Sequence, residues 1–156
     1  MPERRFWLFK SEPQAYSFED LMNEEGRRAE WDGVRNYQAR NLIRDDMQVG
    51  DRVLFYHSSS GGKQVVGTAT IVREGYPDFT ALNPQEKHHD SKSTPDNPIW
   101  YMVDIRGDQA LGRPVSLTDI KANPALQGMI LVKNSRLSVQ PMTRAEFEEI
   151  VSMSEA

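Results

Sequence analysis

The sequence contains no cysteine among its 156 residues. Without thiols the chain has no disulfide framework, no zinc or iron–sulfur site built on thiolates, and no cysteine nucleophile. Of the three histidines, His88 and His89 are adjacent and His57 is far away in the chain, so no pair has the helical spacing of a metal site. The sequence therefore predicts neither a bound metal nor a cofactor.

Long hydrophobic runs and an excess of basic residues are also missing. No segment approaches the ~20 apolar residues of a membrane span, and the apolar run near the N-terminus is too short for a signal peptide. We therefore expect a cytoplasmic protein without membrane contact. Lys and Arg number 19 against 23 Asp and Glu, a net charge of −4. Since general binding to polyanions needs many basic contacts, a nucleic-acid site on this chain must be local and pocket-like.

The composition is that of a folded globular protein. Hydrophobic residues make up 38% and charged residues 27% of the chain, which differs from the composition of disordered proteins. A chain of this length buries roughly 70% of the surface that its unfolded form exposes. We found no internal repeat and no low-complexity linker, so residues 1–156 are predicted to form a single domain.

The pattern of apolar residues and turns predicts an α+β protein. Strands are expected over residues 5–10, 52–57, 64–73, 99–106, 114–117 and 136–140, with a Gly-Gly hairpin tip within 58–63 and an irregular excursion over 75–97. Strands dominate the middle and helices the two ends, which favours a mixed β-barrel with flanking helices over repeated βαβ units. Its predicted core residues, in one closed or nearly closed sheet, are Val53, Phe55, Val66, Ile71, Val103 and Ile105.

Capping residues mark four helices. Ser17 with Asp20 predicts a short first helix, and Thr143 with Glu146 predicts a capping box for the terminal helix. Asn36 is the expected N-cap of a second helix. Its apolar stripe is Ala39, Leu42, Ile43 and Met47. Thr118 is expected to cap a helix that ends near Pro124.

The stretch from Trp31 to Asn41 is the most informative segment. Gly33 allows a turn that brings Arg35 to a helix N-terminus, where backbone N–H groups and a guanidinium together favour an anion. Asn36, Arg40 and Arg44 recur at a spacing of four and place further donors on one helix face. The alternative interpretation is a solvated helix face beside a tryptophan of the core.

Polar residues also follow two predicted strands at their ends. Lys10, Ser11 and Glu12 end the first strand. Tyr56, His57 and Ser58 end the next, so neighbouring strands would bring the two groups to one rim. Aromatic faces with donors and acceptors suit a planar heterocycle, whereas the alternative is ordinary loop capping by short polar residues.

Several blocks of the chain resemble the EVE domain family. They are Lys10-Ser11-Glu12-Pro13, the eleven residues Trp31 to Asn41, Gly50-Asp51, Phe55-Tyr56-His57-Ser58, Tyr76-Pro77-Asp78 and the six residues Arg136 to Pro141. The resemblance implies a PUA-like fold, related to YTH and ASCH modules, and recognition of modified bases in DNA or RNA. Gly75 departs from the pattern, in which alanine is expected before Tyr-Pro-Asp.

The resemblance also implies a set of ligand-binding residues. They are Lys10, Ser11, Glu12, Trp31, Gly33, Arg35, Asn36, Tyr56, His57 and Ser58, with Tyr76, Asp78 and Lys92 as lid residues. In the leading hypothesis a flipped-out base stacks on Trp31 or Tyr56, Ser11 and Glu12 read its edge, and Lys10 and Arg35 hold flanking phosphates.

Two alternatives remain open at this point. One is an enzyme that acts on a nucleotide or nucleic acid with His57 and Glu12 as acid and base, and the other is a protein-interaction module. No recognisable nucleophile or metal set accompanies His57 and Glu12, which favours binding over catalysis.

Overall fold

A mixed six-stranded sheet is the centre of the fold in the computed structural model, which describes residues 5–58, 62–133 and 136–155. The strands are β1 (Phe6–Ser11), β2 (Arg28–Trp31), β3 (Arg52–His57), β4 (Gln64–Pro77), β5 (Tyr101–Ser116) and β6 (Val139–Met142). Their order is β2-β5-β4-β3-β1-β6. β1 and β3 run parallel, and the other neighbouring pairs run antiparallel.

The sheet is not closed into a barrel within the described residues, which corrects that part of the prediction. Its edges are β2, paired with β5, and β6, paired with β1. Each edge strand has four residues, so each offers little backbone for a closing ladder. The mixed α+β class is confirmed.

The longest strand and one edge strand differ from the sequence prediction. Residues 99–106 and 114–117 were expected as two strands, but β5 runs without interruption from Tyr101 to Ser116. Its middle pairs with β4 through several register shifts. β-Bulges of this kind let two strands stay paired through a segment whose residues do not alternate regularly. β2 was not predicted. The tip of the predicted hairpin, residues 59–61, lies outside the described residues.

The helices begin where hydrogen-bonding side chains cap them. They are α1 (Phe18–Met22), α2 (Tyr37–Asn41, continuing in a π turn over Leu42–Asp46), α3 (Leu117–Ala122) and α4 (Arg144–Glu155). Ser17, Asn36 and Thr143 act as predicted. Ser116 rather than Thr118 caps α3, because its hydroxyl accepts the Asp119 N–H at 3.1 Å. None of these helices has the length and apolarity that crossing a bilayer requires.

Each face of the sheet carries its own hydrophobic core. Val53 and Phe55 of β3 point into one core with α1, α2 and β2, while Leu54 and Tyr56 point into another with α3 and α4. Successive residues of a strand point to opposite faces, so β3 supplies both cores in alternation. The predicted core residues Val53, Phe55, Ile71, Val103 and Ile105 all lie fully buried in the first core, and Val66 packs partly buried against it.

Candidate functional site

A cavity of about 900 Å³ opens where β1 ends, beside β2 and the chain that follows it. This volume lies within the ~300–1,000 Å³ range of small-molecule sites. Its wall includes six of the predicted ligand-binding residues: Lys10, Ser11, Glu12, Trp31, Gly33 and Arg35. Its other lining residues include Tyr16, Arg28, Glu30, Asp32, Lys87, His88 and Asp104.

Trp31 supplies the aromatic wall of the cavity. It ends β2 and is 9% exposed. Phe9 lies against it with ring centroids 5.1 Å apart, Phe55 meets it edge-on at 5.5 Å, and Tyr16 meets it edge-on at 6.4 Å. Trp31 is therefore a core residue that also borders the cavity, with packing on three sides that fixes its ring.

A buried carboxylate holds the turn after Trp31 in place. Oδ2 of Asp78 accepts the Gly33 N–H at 2.9 Å and the Arg35 Nη1 at 3.0 Å. Oδ1 accepts the N–H of Thr80 at 2.8 Å and its hydroxyl at 2.5 Å. Burial alone would raise the pKa of Asp78, but these hydrogen bonds hold that pKa below its usual value. Asp78, predicted as a lid residue, is thus buried in the framework of this turn and lies outside the cavity lining.

The guanidinium of Arg35 is committed to the protein itself. Besides Asp78, it donates from Nε to the His88 carbonyl at 2.9 Å, and it is only 21% exposed. The sequence placed Arg35 as a phosphate grip, and in the structure its ion-pair partner is the buried Asp78 carboxylate, which requires a paired cation. Arg35 therefore ties residue 88 to the turn at Gly33.

Gly33 is required at that turn for two reasons. Its φ of +77° lies in the left-handed region, where other residues are strained. A Cβ built on it would also lie 2.8 Å from the His88 imidazole. The His88 ring thus covers the glycine and becomes part of the cavity wall.

Two carboxyl groups make one side of the cavity acidic. Partial burial and the charges of Asp104 and Asp32 raise the pKa of Glu30. Burial and the charge of Asp78 raise the pKa of Asp32, against a smaller opposing effect of His88. Both groups can accept hydrogen bonds from an amino group when ionised and can donate one when protonated.

A second polar cluster supports the same wall. Asp104 is buried and accepts Arg28 Nη2 at 2.9 Å and the Tyr76 hydroxyl. Burial and this hydrogen bond raise the pKa of Tyr76. Tyr76, predicted as a lid residue, is instead the far end of β4 and part of the frame.

The predicted rim at the ends of β1 and β3 exists only in part. The two strands are parallel neighbours with Ser11 opposite His57, and the Ser58 N–H donates to the Ser11 carbonyl at 3.0 Å. However, Nε2 of His57 accepts the Phe18 N–H at 3.1 Å, and burial lowers the pKa of this imidazole. His57 and Ser58 therefore join the loop framework and lie outside the cavity lining.

Three further predicted residues lie elsewhere. Tyr56 belongs to the core on the other face, where burial raises its pKa to about 12; it cannot stack on a ligand in this cavity. Asn36 caps α2 by accepting the Ala39 N–H at 2.9 Å. Lys92 is exposed and outside the lining, and its N–H donates to the Asp90 carboxylate at 3.0 Å.

The sequence analysis did not select Glu30, Asp32 and Asp104. β2 was not recognised, so Glu30 was not placed beside Asp104, its partner on β5. The alternation Glu30-Trp31-Asp32 was the available signal, since it places an aromatic residue between two acidic ones. Across the described ranges, no three His, Asp or Glu residues are grouped to hold a metal ion.

Comparisons with known proteins match nearly the whole chain. The EVE domain family model matches residues 5–153. Thymocyte nuclear protein 1 of Rattus norvegicus is 40% identical over 168 aligned residues, which cover 97% of this chain and 74% of the rat protein. Six curated proteins match at a comparable level.

Solved structures agree with the sequence matches. A hypothetical protein from Leishmania major superposes with a TM-score of 0.92 at 42% identity, covering 98% of this chain and 96% of that one. The human THYN1 protein, crystallised in complex with 5-methylcytosine-containing DNA, superposes with a TM-score of 0.91 at 37% identity, covering 97% and 98%.

Proposed function

The chain belongs to the EVE domain family, and from this premise we propose that it is a nucleic-acid-binding module that takes a modified base into the cavity. The observation that supports this proposal most directly is the chain's similarity to the human THYN1 protein in complex with 5-methylcytosine-containing DNA, at 37% identity and a TM-score of 0.91. 5-Methylcytosine in DNA is therefore the first ligand to test, and modified RNA is the second.

The cavity supports this proposal through its shape and its charges. A fixed Trp31 ring offers an apolar face to a heterocycle. Glu30 and Asp32 lie beside it, and a carboxylate is the group that accepts a hydrogen bond from the cytosine amino group. The same carboxylates would repel a phosphate, so the base enters the cavity while its backbone stays at the mouth.

Binding without turnover fits the geometry better than catalysis does. In the enzymatic alternative, His57 and Glu12 act as acid and base on one substrate. Glu12 borders the cavity, but Nε2 of His57 already accepts the Phe18 backbone N–H. A base that is occupied by the protein backbone is not available to a substrate.

We further propose that residues 1–156 act as one PUA-like domain. Support comes from the single sheet, to which both cores attach. The proposal of a protein-interaction module has no comparable support among the described residues.

The direct test is a fluorescence-anisotropy titration with oligonucleotides that differ only in one cytosine, methylated or not. We expect the methylated DNA to bind more tightly. Asp32→Asn exchanges an acceptor for a donor at the cavity wall and should reduce this preference, whereas Glu148→Gln on the exposed face of α4 should not. Equal binding of both DNAs would refute methyl recognition, and no binding of any DNA or RNA would refute the nucleic-acid function.

A further inference from the structure

Four side chains form a continuous stack beside the cavity mouth. The Arg35 guanidinium lies 5.5 Å from the Trp100 ring centroid, Trp100 stacks on Tyr37 with centroids 5.0 Å apart, and the Arg40 guanidinium lies 5.1 Å from the Tyr37 ring. We refer to Arg35, Trp100, Tyr37 and Arg40 as the aromatic ladder. It begins at a residue of the cavity wall and leads away from it.

The inner part of the ladder is rigid. Trp100 is buried, and its indole N–H donates to the Asp90 carboxylate at 2.7 Å. Arg40 donates from Nη1 to the Ile99 carbonyl at 2.7 Å. The ring of Tyr37 therefore contacts two side chains that are themselves fixed.

The outer part of the ladder is open to solvent. Tyr37 is 58% exposed although it is a large aromatic residue. An aromatic ring held in place by a stack and a cation, yet left largely exposed, has the form of a stacking platform.

Charge at the ladder is opposite to the charge of the whole protein. The chain carries −4 overall, and the inner ladder residues Arg35 and Trp100 bind the carboxylates of Asp78 and Asp90, but the outer segment Tyr37–Asn41 contains Arg40 and no acidic residue. An aromatic ring next to an arginine is the combination that single-stranded nucleic acid binds, through a base and a phosphate respectively.

We propose that the aromatic ladder seats a nucleotide next to the one in the cavity, with its base on Tyr37 and its phosphate at Arg40. The inference rests on the proposed function. Two contacts of 5.5 and 5.0 Å separate the Arg35 guanidinium from the Tyr37 ring, a reach of at most about three nucleotides at the ~3.4 Å rise of a duplex strand and of fewer in a more extended strand. The ladder thus binds the strand, while the cavity identifies the modified base.

The test combines protein variants with oligonucleotides that lack flanking bases. Each oligonucleotide carries one 5-methylcytosine, and abasic sites replace the two neighbouring bases on the 5′ side, on the 3′ side, or on neither. Tyr37→Ala should weaken binding of the complete oligonucleotide about 5- to 150-fold. Wild type should show a similar loss with one of the two abasic oligonucleotides, and on that oligonucleotide Tyr37→Ala should have no further effect.

Matched variants separate stacking from loss of surface or structure. Val49→Ala removes an apolar side chain of similar exposure, 56%, and should bind as wild type does. Tyr37→Phe should keep the affinity, and Tyr37→Leu, which retains apolar cover over Trp100, should lose it as Tyr37→Ala does. Arg40→Ala should reduce the dependence of log K on log salt by about one phosphate contact, whereas Arg113→Ala, an exposed arginine on β5, should not.

The outcomes distinguish this inference from the proposed function. If Tyr37→Ala and wild type bind every oligonucleotide alike and still prefer the methylated base, the ladder is refuted and the cavity stands. The ladder is also refuted if the Tyr37→Ala loss persists on both abasic oligonucleotides. If wild type binds none of them, the proposed function and the ladder are refuted together.

Discussion

The two faces of the sheet are built from the same strands but in different ways. On the face with α3 and α4, the core contains Leu54, Tyr56 and Ile150, and its buried members are almost all apolar. Around the cavity, the aromatic core of the other face is combined with two buried carboxylates, Asp78 behind the turn at Gly33 and Asp104 in the lining, each of which accepts several hydrogen bonds.

This difference indicates a division of labour between stability and binding. Apolar packing stabilises a fold without specifying a ligand, because its contacts are not directional. Buried charges are costly unless they are paired and hydrogen-bonded, so their presence around the cavity indicates that the cavity must keep one shape. Three pairs of substitutions, one member on the cavity side and one on the α4 side, test this division.

The largest effect is expected for Asp78→Asn. The amide NH2 would replace Oδ2 and so face two donors, the Gly33 N–H and Arg35 Nη1. Breaking a buried ion pair in this way costs about 3 to 5 kcal/mol. We expect a lower free energy of unfolding in urea and, at a temperature where the variant remains folded, loss of oligonucleotide binding.

Ile150→Ala on α4 is the matched change on the other face. Ile150 is fully buried, and its truncation should cost about 2 to 5 kcal/mol of stability. The folded variant should bind oligonucleotides as wild type does. If Ile150→Ala impaired binding as strongly as Asp78→Asn, the division between the faces would be wrong.

An intermediate effect is expected for Gly75→Ala, the position where the family pattern has alanine. A Cβ on Gly75 would lie 2.5 Å from the Ile43 carbonyl oxygen, so backbone must move. Overpacking of this kind costs about 1 to 3 kcal/mol, measurable as a lower unfolding midpoint. Gly75 thus allows the close contact between β4 and the π turn.

Gly128→Ala is the control on the α4 side. Its Cβ would lie 3.7 Å from a Glu146 carboxylate oxygen, an ordinary contact. Alanine in an unstrained position reduces the entropy of the unfolded chain, so stability should stay the same or rise slightly. A loss at Gly128 equal to that at Gly75 would contradict the packing argument.

The smallest effect is expected for Glu30→Gln and depends on pH. Because partial burial and neighbouring carboxylates raise the pKa of Glu30, the folded state holds this proton more tightly than the unfolded state does. Ionisation of Glu30 therefore lowers the free energy of unfolding as pH rises from the unfolded-state pKa to the raised folded-state pKa. Glu30→Gln should be slightly more stable than wild type at pH 7, by less than about 0.5 kcal/mol for a solvated group.

At a pH below the unfolded pKa both side chains are neutral, and the difference between Glu30→Gln and wild type should disappear. Glu148→Gln, on the exposed face of α4, serves as the control across the same pH series. A constant advantage of Glu30→Gln at all pH values would show that the carboxylate charge is not its cause.

Local signals in the sequence determined much of the fold. Ser17, Asn36 and Thr143 cap their helices because each offers a side-chain oxygen to backbone N–H groups only three residues away. β3 was predictable as a buried strand because the continuous apolar run from Val53 to Tyr56 is a local pattern. The same holds for Trp31, Gly33 and Arg35, whose motif placed them together at one turn.

Only the tertiary structure decided what these residues contact. Arg35 pairs with Asp78, which lies 43 positions away in the chain, and Arg28 pairs with Asp104, 76 positions away. Tyr56 and His57 are consecutive, but the pleat of β3 sends Tyr56 into the opposite core. The sequence by itself determined which side chains are polar or aromatic. It also determined which residues cap helices, since capping depends on residues that are near in the chain. Which carboxylates are paired in the frame and which line the cavity depends on strand order and long-range pairing, which no local pattern encodes.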